Sequence, residues 1–136
     1  FIFQDYKLIK NRTVFDNISI VLHIDNYSWS KIVNKTETIM KDLGLSHLSN
    51  TSVCDLSYGE QQKLSIARAL VKDPVLILAD EPTGNLDQNT ANEMLSIFKH
   101  ISNRGITLLI ATHDLSSIEI EKEQIVKIEN GQRVII

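Results

Sequence analysis

Apolar residues recur at helical spacing through the first half of the chain. Between about Thr13 and Leu70 they return every three or four positions, which is the period of a helix with one buried face. The pattern predicts helices in TVFDNISIVLHI, in SWSKIVNKTETIMKD and in YGEQQKLSIARAL. Gly44 follows the second of these, where a glycine commonly ends a helix. We expect the apolar positions of this region to be buried, Trp29 among them.

The second half alternates between short apolar runs and one amphipathic stretch. VLILA at 75–79 and TLLIA at 107–111 are continuous apolar runs of strand length, which predict strands covered on both faces. The stretch NTANEMLSIFKHISN between them has helical spacing and ends before Gly105. Strand, helix and strand with short links predict a parallel pair with a right-handed crossover. The end, QIVKIENGQRVII, predicts a hairpin that turns at Asn130-Gly131.

Composition limits the function classes. The chain has 136 residues, 43% hydrophobic and 23% charged, which suits about one soluble globular domain. The net charge is −3, so we expect no nucleic-acid partner, because dedicated nucleic-acid binders usually carry a basic excess. The single Cys54 cannot close an internal disulfide, which suits a reducing compartment, and we expect it to be at least half-buried. No apolar run approaches the ~18 residues of a membrane span.

The stretch LSYGEQQ opens the third predicted helix. Ser57 is followed three residues later by Glu60, which is the spacing of a capping box. The start of a helix carries unpaired N–H groups and a partial positive charge, and it therefore favours an anion. Gly59 would let a phosphate approach the backbone closely. A simple capped helix is the common alternative, and from these residues alone it stays open.

Polar side chains end the predicted strands. Asp80 and Glu81 follow the first apolar run, and ligands of open parallel sheets bind beyond the carboxyl ends of strands. There Asp80 can hold Mg²⁺, and Glu81 can orient and deprotonate a water that attacks a γ-phosphate. His113 ends the second run, so parallel neighbours would bring it near Glu81, where its ring can hydrogen-bond a phosphate. Gln4 ends FIF and offers a neutral amide. A solvated, idle acidic pair is the alternative.

In this order and spacing the motifs resemble the nucleotide-binding domain of an ABC ATPase. The matching stretches are FIFQD for the Q-loop, LSYGEQQ for the signature, ILADEPT for Walker B and its glutamate, GNLD for the D-loop and ATHD for the H-loop. The resemblance covers essentially the whole chain. It implies an α/β fold with a P-loop NTPase-like parallel sheet and a helical subdomain. The helical subdomain would span about 10–72, and the catalytic core 73–136.

The resemblance also implies a head-to-tail homodimer that sandwiches two ATP molecules with Mg²⁺. Four residues would serve the ATP of their own protomer: Gln4, Asp80, Glu81 and His113. Of these, Glu81 and His113 would be catalytic, and Asp80 and Gln4 would bind Mg²⁺. Three signature residues would contact the ATP of the partner: Ser57, Gly59 and Glu60. Asp87 of GNLD would lie at the dimer seam.

Two departures from the family pattern stand out. No G-x-x-x-x-G-K-[ST] occurs in the 136 residues, and that loop is what cradles the phosphates. In the family it precedes the Q-loop, so we expect it before Phe1. The 136 residues alone should then be inactive, and the full-length protein should hydrolyse ATP. The second departure is Tyr58, which stands where the family usually has glycine and is either accommodated outward or slows catalysis.

Within the family, FIFQDYKLIKNRTVFDNISIVL and NRGITLLIATHD are most similar to the FtsE-type cell-division ATPases. This similarity implies a peripheral ATPase on the cytoplasmic face of the inner membrane. Its integral membrane partner would be FtsX-like and would dock near the Q-loop and the helices of 13–43. Lipoprotein-releasing and macrolide-export ATPases share ILADEPTGNLD and remain an alternative, as does a degenerate, non-hydrolysing interaction module.

Overall fold

The computed structural model describes residues 1–113, 125–129 and 131–134. Within these ranges the chain forms four α-helices: α1 Val14–Ile24, α2 Trp29–Asp42, α3 Tyr58–Leu70 and α4 Gln88–Asn103. The same ranges contain four strands: β1 Leu76–Asp80, β2 Thr107–Ala111, β3 Lys127–Glu129 and β4 Gln132–Val134. Short 3₁₀ turns at Ser46–Leu48 and Val53–Asp55 link α2 to α3. None of the described helices is long and apolar enough to cross a membrane.

The first three helices pack against one another, as their apolar spacing predicts. Helix α1 begins with a capping box in which Thr13 accepts a hydrogen bond from the backbone of Asp16. Helix α2 ends at Asp42, and Gly44 adopts a φ of +69° just beyond it, a value that glycine tolerates best. The inward faces of the three helices share one core, formed in part by Val14, Ile18, Leu22, Ile32, Met40, Leu64 and Ile66.

Trp29 does not join that core, so its predicted burial was wrong. Its side chain is 62% exposed. The helical period does place it in line with the buried Ile32. Trp29 is the first residue of α2, however, and its ring lies outside the core. It contacts two side chains of α1, the half-buried Phe15 and the exposed His23. Its centroid lies 6.3 Å from that of Phe15 and 5.8 Å from that of His23.

The predicted strand–helix–strand unit is present. Strands β1 and β2 are parallel, in a register that runs from Leu76 opposite Thr107 to Asp80 opposite Ala111. On the other edge of β1, the N–H of Ile2 donates to Leu78 at 2.8 Å, and the N–H of Asp80 donates to Ile2 at 2.9 Å. The stretch FIF is therefore reduced to a single bridge rather than a full strand. It still aligns its carboxyl end with that of β1.

The sheet is covered on one face rather than on two. Ile77 and Ala79 are buried in the same core as Met94 and Phe98 of α4. Neighbouring positions on the opposite face stay open, and Leu109 is 62% exposed. The prediction of burial on both faces was wrong for the described residues. A continuous apolar run shows that both faces of a strand are apolar, but it does not show how many layers pack on them.

The remaining elements lie near the end of the chain and in the link before α3. Strands β3 and β4 form the predicted antiparallel hairpin, and Gly131 has a φ of +75° at its turn. Asn130 of that turn and Asp114 of ATHD lie outside the described residues. Cys54 is exposed, contrary to expectation, because in its short turn the neighbouring Val53 is the side chain that faces the core.

Candidate functional site

Glu81 follows β1 directly and receives hydrogen bonds from the two residues that follow β2. The hydroxyl of Thr112 donates to its Oε2 at 3.0 Å, and the backbone N–H of His113 donates to its Oε1 at 2.8 Å. The ring Nδ1 of His113 lies 2.6 Å from the same Oε1. Since Asp80 pairs with Ala111 in register, the next residues of both strands emerge side by side. The predicted proximity of Glu81 and His113 is confirmed. Thr112, whose hydroxyl completes the group, was not predicted.

The backbone of Glu81 is held in an unfavourable conformation. Its φ is +44°, in the left-handed region that residues with a Cβ rarely occupy. Two backbone hydrogen bonds fix it there: its N–H donates to Ala111 at 2.9 Å, and its carbonyl accepts from Gly84 at 3.2 Å. These bonds and the side-chain contacts together direct the carboxylate toward the end of β2.

The carboxylate of Glu81 is ionised at neutral pH. Burial raises its pKa, but the hydrogen bonds from the His113 ring, the Thr112 hydroxyl and the His113 N–H outweigh burial. The pKa of Glu81 therefore lies below its ordinary value. An ionised carboxylate has about four acceptor positions, so these donors leave room for a water.

Asp80 and Gln4 lie at the same carboxyl edge of the sheet, and both are exposed. Asp80 is the last residue of β1, and Gln4 follows the Ile2 bridge on the neighbouring segment. Asn85 adds a long contact of 3.5 Å to the carbonyl of Gln4. Both side chains offer oxygen, and Mg²⁺ in nucleotide sites usually takes one or two protein oxygens together with phosphates. The residues fit that ion on the condition that phosphates complete its shell, because the described residues hold no cluster of three metal-ligating side chains.

The N-terminal end of α3, residues 57–60, is called its mouth below and forms a complete capping box. The Oγ of Ser57 accepts from the backbone N–H of Glu60 at 3.3 Å. The Ser57 hydroxyl and its N–H both donate to Oε2 of Glu60, each at 2.7 Å. The hydrogen bonds from Ser57 hold the pKa of Glu60 below its ordinary value. Tyr58 at the next position projects outward and is 69% exposed. The cap predicted from the spacing is confirmed.

A cavity of about 390 Å³ joins this mouth to the start of α4. It is lined by residues 57–60 on one side and by 85–87 on the other. Asp87 caps α4: its Oδ1 accepts from the N–H groups of Asn89 and Thr90, and its Oδ2 accepts from the Thr90 hydroxyl at 2.6 Å. These bonds, led by that of the Thr90 hydroxyl, hold the pKa of Asp87 below its ordinary value. The signature and GNLD stretches therefore share one surface.

Gly59 is required by packing at this surface. A Cβ at position 59 would lie 2.8 Å from Cγ2 of Thr90, closer than side-chain carbons approach. The Thr90 side chain is fixed by its bond to Asp87, so it cannot turn away freely. This contact between the mouths of α3 and α4 has no local signal in the sequence. It gives a reason for glycine at 59 that is independent of any phosphate.

Residues 1–84 match the family model described as ABC transporter, which covers Gln4, the signature stretch and the acidic pair. The chain belongs to the ABC transporter family. This ABC chain is 38% identical over 130 residues to the cell division ATP-binding protein FtsE of Bacillus subtilis, covering 96% of the chain and 57% of that protein. For FtsE of Escherichia coli the identity is also 38% over 130 residues, with 96% and 59% covered. For FtsE of Streptococcus pneumoniae it is 36% over 133 residues, with 98% and 58% covered.

The architecture of the ABC chain also matches a solved structure. CbiO1 from Clostridium perfringens, described as part of the ABC transporter complex cbiONQ, superimposes with a TM-score of 0.79 at 28% identity. The match covers 86% of this chain and 47% of that one. The expected ABC ATPase family and its α/β fold are thus confirmed. The ABC chain spans somewhat under three fifths of the length of the curated relatives it matches.

Proposed function

We propose that the chain is the part of an Mg²⁺-dependent ABC ATPase that carries its hydrolytic glutamate, its H-loop histidine and its signature helix. The observation that carries the proposal is the Glu81 carboxylate, which is ionised and held by His113 and Thr112 at the carboxyl edge of a parallel sheet. Family membership supports ATP as the substrate. In the proposed division, residues 10–72 form the helical subdomain and 73–136 the catalytic core.

Each residue of this edge has one proposed task. Glu81 orients the attacking water and accepts its proton. With both ring nitrogens carrying hydrogen, His113 donates from Nε2 to the γ-phosphate, while Nδ1 donates to Glu81. Asp80 and Gln4 supply oxygens to Mg²⁺, whose charge, when it is bound, offsets the negative charge of the phosphates. Asp80 and Glu81 are adjacent in sequence, but Asp80 ends β1, whereas Glu81 lies beyond it in the left-handed region with its carboxylate bonded to the residues that follow β2.

A second protomer would complete the reaction site. Ser57, Gly59 and Glu60 line the same cavity as Asp87, so the signature and the D-loop present one continuous surface. We assign that surface to the ATP held by a head-to-tail partner, with Asp87 at the seam. The start of α3 can offer N–H groups and the Ser57 hydroxyl to a γ-phosphate once that hydroxyl leaves Glu60.

The full protein is proposed to be an FtsE-type ATPase of the cell-division branch, peripheral on the cytoplasmic face of the inner membrane. The identities of 36–38% to proteins named FtsE support this branch. An FtsX-like integral membrane partner would dock on helices α1 and α2. These helices expose Trp29 by 62% and Ile24 by 72%, an apolar surface that suits a protein contact. An ATPase of a lipoprotein-releasing or macrolide-export system is the second candidate, because it would share ILADEPTGNLD.

The test is ATP turnover by the full-length protein, compared with its Glu81→Gln variant. Loss of a general base costs about 10²–10⁴-fold in rate, while the neutral amide keeps the shape of the side chain and leaves ATP binding intact. Glu37→Gln, at an exposed glutamate of α2, is the matched control and should keep the wild-type rate. A wild-type protein that binds ATP without hydrolysing it would instead support the degenerate interaction module. Turnover that survives Glu81→Gln would contradict the assignment of the base.

A further inference from the structure

Arg68 of α3 contacts the backbone that follows Gln4. Its Nη1 donates to the carbonyl of Lys7 at 2.8 Å, and its Nη2 donates to the carbonyl of Tyr6 at 2.7 Å. Both bonds come from one planar guanidinium, whose two nitrogens suit two neighbouring acceptors. Burial lowers the pKa of Arg68, but an arginine in this setting remains charged. The contact spans more than 60 positions of sequence and joins α3 to the Q-loop segment.

The backbone that Arg68 holds is unfavourable without support. Tyr6 and Lys7 have φ values of +59° and +46°, so two successive residues with a Cβ occupy the left-handed region. Two short-range bonds close the turn: the N–H of Tyr6 donates to Phe3 at 3.0 Å, and the N–H of Lys7 donates to Asp5 at 2.7 Å. Tyr6 itself is only 7% exposed, which ties the turn to the body of the protein. The bonds from Arg68 satisfy the two carbonyls that this turn presents.

Gln4 therefore lies between two fixed points. Before it, Ile2 is bonded to β1 on both sides of its peptide. After it, Tyr6 and Lys7 are held by Arg68. Ser57 is the N-cap of the same helix that carries Arg68. One rigid element thus bears the proposed contact to the partner's ATP at one end and the support of the Q-loop segment near the other.

We propose that Arg68 is a positioning residue that couples the placement of the signature helix to the placement of Gln4 at the Mg²⁺–ATP site. The proposal rests on the proposed ATP hydrolysis. A displacement of α3 at its Ser57 end is carried along the helix to Arg68 and from there to the turn at Tyr6 and Lys7. Gln4 reaches the metal only when that turn keeps its left-handed form. Arg68 touches neither substrate nor metal and acts through Gln4.

The first experiment measures kcat, the KM for ATP and the Mg²⁺ concentration for half-maximal rate in the full-length protein. Arg68→Met should lower kcat about tenfold and raise the required Mg²⁺, because support groups behind a metal ligand typically contribute that much. The KM for ATP should stay within about twofold, since Arg68 does not touch the nucleotide. Arg68→Lys should give an intermediate rate, because an ammonium lacks the two side-by-side N–H donors with which the guanidinium reaches both carbonyls. Arg104→Met is the matched control, since Arg104 is exposed and its ion pair with Asp42 is long, at 3.8 Å.

A double-mutant cycle with Gln4→Ala decides whether Arg68 acts through Gln4. If it does, Arg68→Met should change kcat little once Gln4 is already alanine. The proposal would be overturned if the double variant lost kcat by the product of the two single-variant factors. It would also be overturned if Arg68→Met lowered thermal stability without changing the Mg²⁺ dependence. If Arg68→Met does not fold, the same cycle with Arg68→Lys distinguishes the two outcomes. A wild-type protein without ATP turnover would refute the proposed function, whereas multiplying losses in an active protein would refute only the role of Arg68.

Discussion

The imidazole Nδ1 of His113 lies 2.6 Å from Oε1 of Glu81, across the ends of two parallel strands. Glu81 is the first residue after β1, and His113 is the second residue after β2. The contact arises from sheet register rather than from any local turn, since Asp80 is paired with Ala111. Thr112 contributes the third donor, on the other carboxylate oxygen. Substitutions at these positions should therefore act on the ionisation of Glu81.

Thr112→Val should raise the pKa of Glu81, because it removes one of the hydrogen bonds that lower it. The reaction needs the ionised carboxylate, so the acid limb of the kcat profile should move to higher pH. The folded pKa of Glu81 lies below its ordinary value, so its contribution to stability is present above the unfolded pKa and is lost as pH falls through the folded pKa. The variant should lose that contribution at a higher pH than wild type.

The measurement is kcat against pH in the full-length protein. Thr107→Val serves as the control, because Thr107 begins β2 at the far end from Glu81 and is exposed. An acid limb that stays in place in Thr112→Val would show that the hydroxyl does not tune Glu81.

Gly59→Ala should destabilise the fold by about 1–3 kcal/mol, the usual cost of forcing a carbon into a filled site. In an open helix position the same change would stabilise by up to about 1 kcal/mol. Thr90→Ser removes Cγ2 but keeps the hydroxyl that bonds Asp87, so the loss should vanish in that background. Gly84→Ala is the control, since a Cβ there meets nothing closer than 3.6 Å. Denaturant unfolding measures all of these variants, and an equal loss from Gly59→Ala in both backgrounds would refute the Thr90 contact.

Glu60→Gln should strengthen ATP-driven dimerisation. The carboxylate of Glu60 is ionised beside Ser57, and a negative charge there repels the phosphate of a partner's ATP. A charge at a helix start is worth about 0.3–1 kcal/mol, so the ATP needed for half-maximal dimerisation should fall roughly two- to fivefold. Glutamine also serves a capping box, so α3 should persist. Light scattering against ATP concentration measures the effect, and it should shrink as salt is added.

Asp16→Asn gives the matched control, because Asp16 holds the equivalent position in the capping box of α1. If Glu60→Gln and Asp16→Asn shift dimerisation equally, the effect comes from the net charge of the protein and not from the position of Glu60 at the start of α3.

The 136-residue segment alone should not hydrolyse ATP. It has no G-x-x-x-x-G-K-[ST], and therefore lacks both the backbone cradle and the lysine that hold the β- and γ-phosphates. Turnover is measured on the segment and on its Glu81→Gln variant at equal concentration. Activity in the segment that Glu81→Gln removes would mean that the residues at the strand ends suffice without a P-loop.

The helices and the strand–helix–strand unit could be predicted from the sequence because their signals are local. Apolar spacing and Gly44 marked α2, and the spacing of Ser57 and Glu60 marked the start of α3. The single covered face of the sheet and the exposure of Trp29 could not be predicted, because they depend on which layers meet. The contact of Gly59 with Thr90 joins residues of two helices, so no window of sequence contains it.

The candidate site was likewise predictable from the sequence only in part. Strand ends and parallel pairing were enough to predict that His113 approaches Glu81. The left-handed backbone of Glu81 was not predictable, since it follows from the loop geometry between β1 and α4. The donor role of Thr112 was not predictable either, since it depends on how the carboxylate of Glu81 is directed toward the end of β2. The hold of Arg68 on the turn after Gln4 likewise appears only in three dimensions.

Ser57 and Glu81 are proposed to serve two different ATP molecules across a dimer, and turnover by a mixture of two disabled full-length variants tests this arrangement. Ser57→Arg places a bulky side chain at the signature mouth, and Glu81→Gln removes the base, so each homodimer should be inactive. In a mixed dimer, one site combines an intact Glu81 with the intact Ser57 of the other chain. With random pairing of equal amounts, about half of the dimers are mixed and each has one intact site, so turnover should recover to about a quarter of wild type. A mixture no more active than the separate variants would contradict the cross-protomer arrangement.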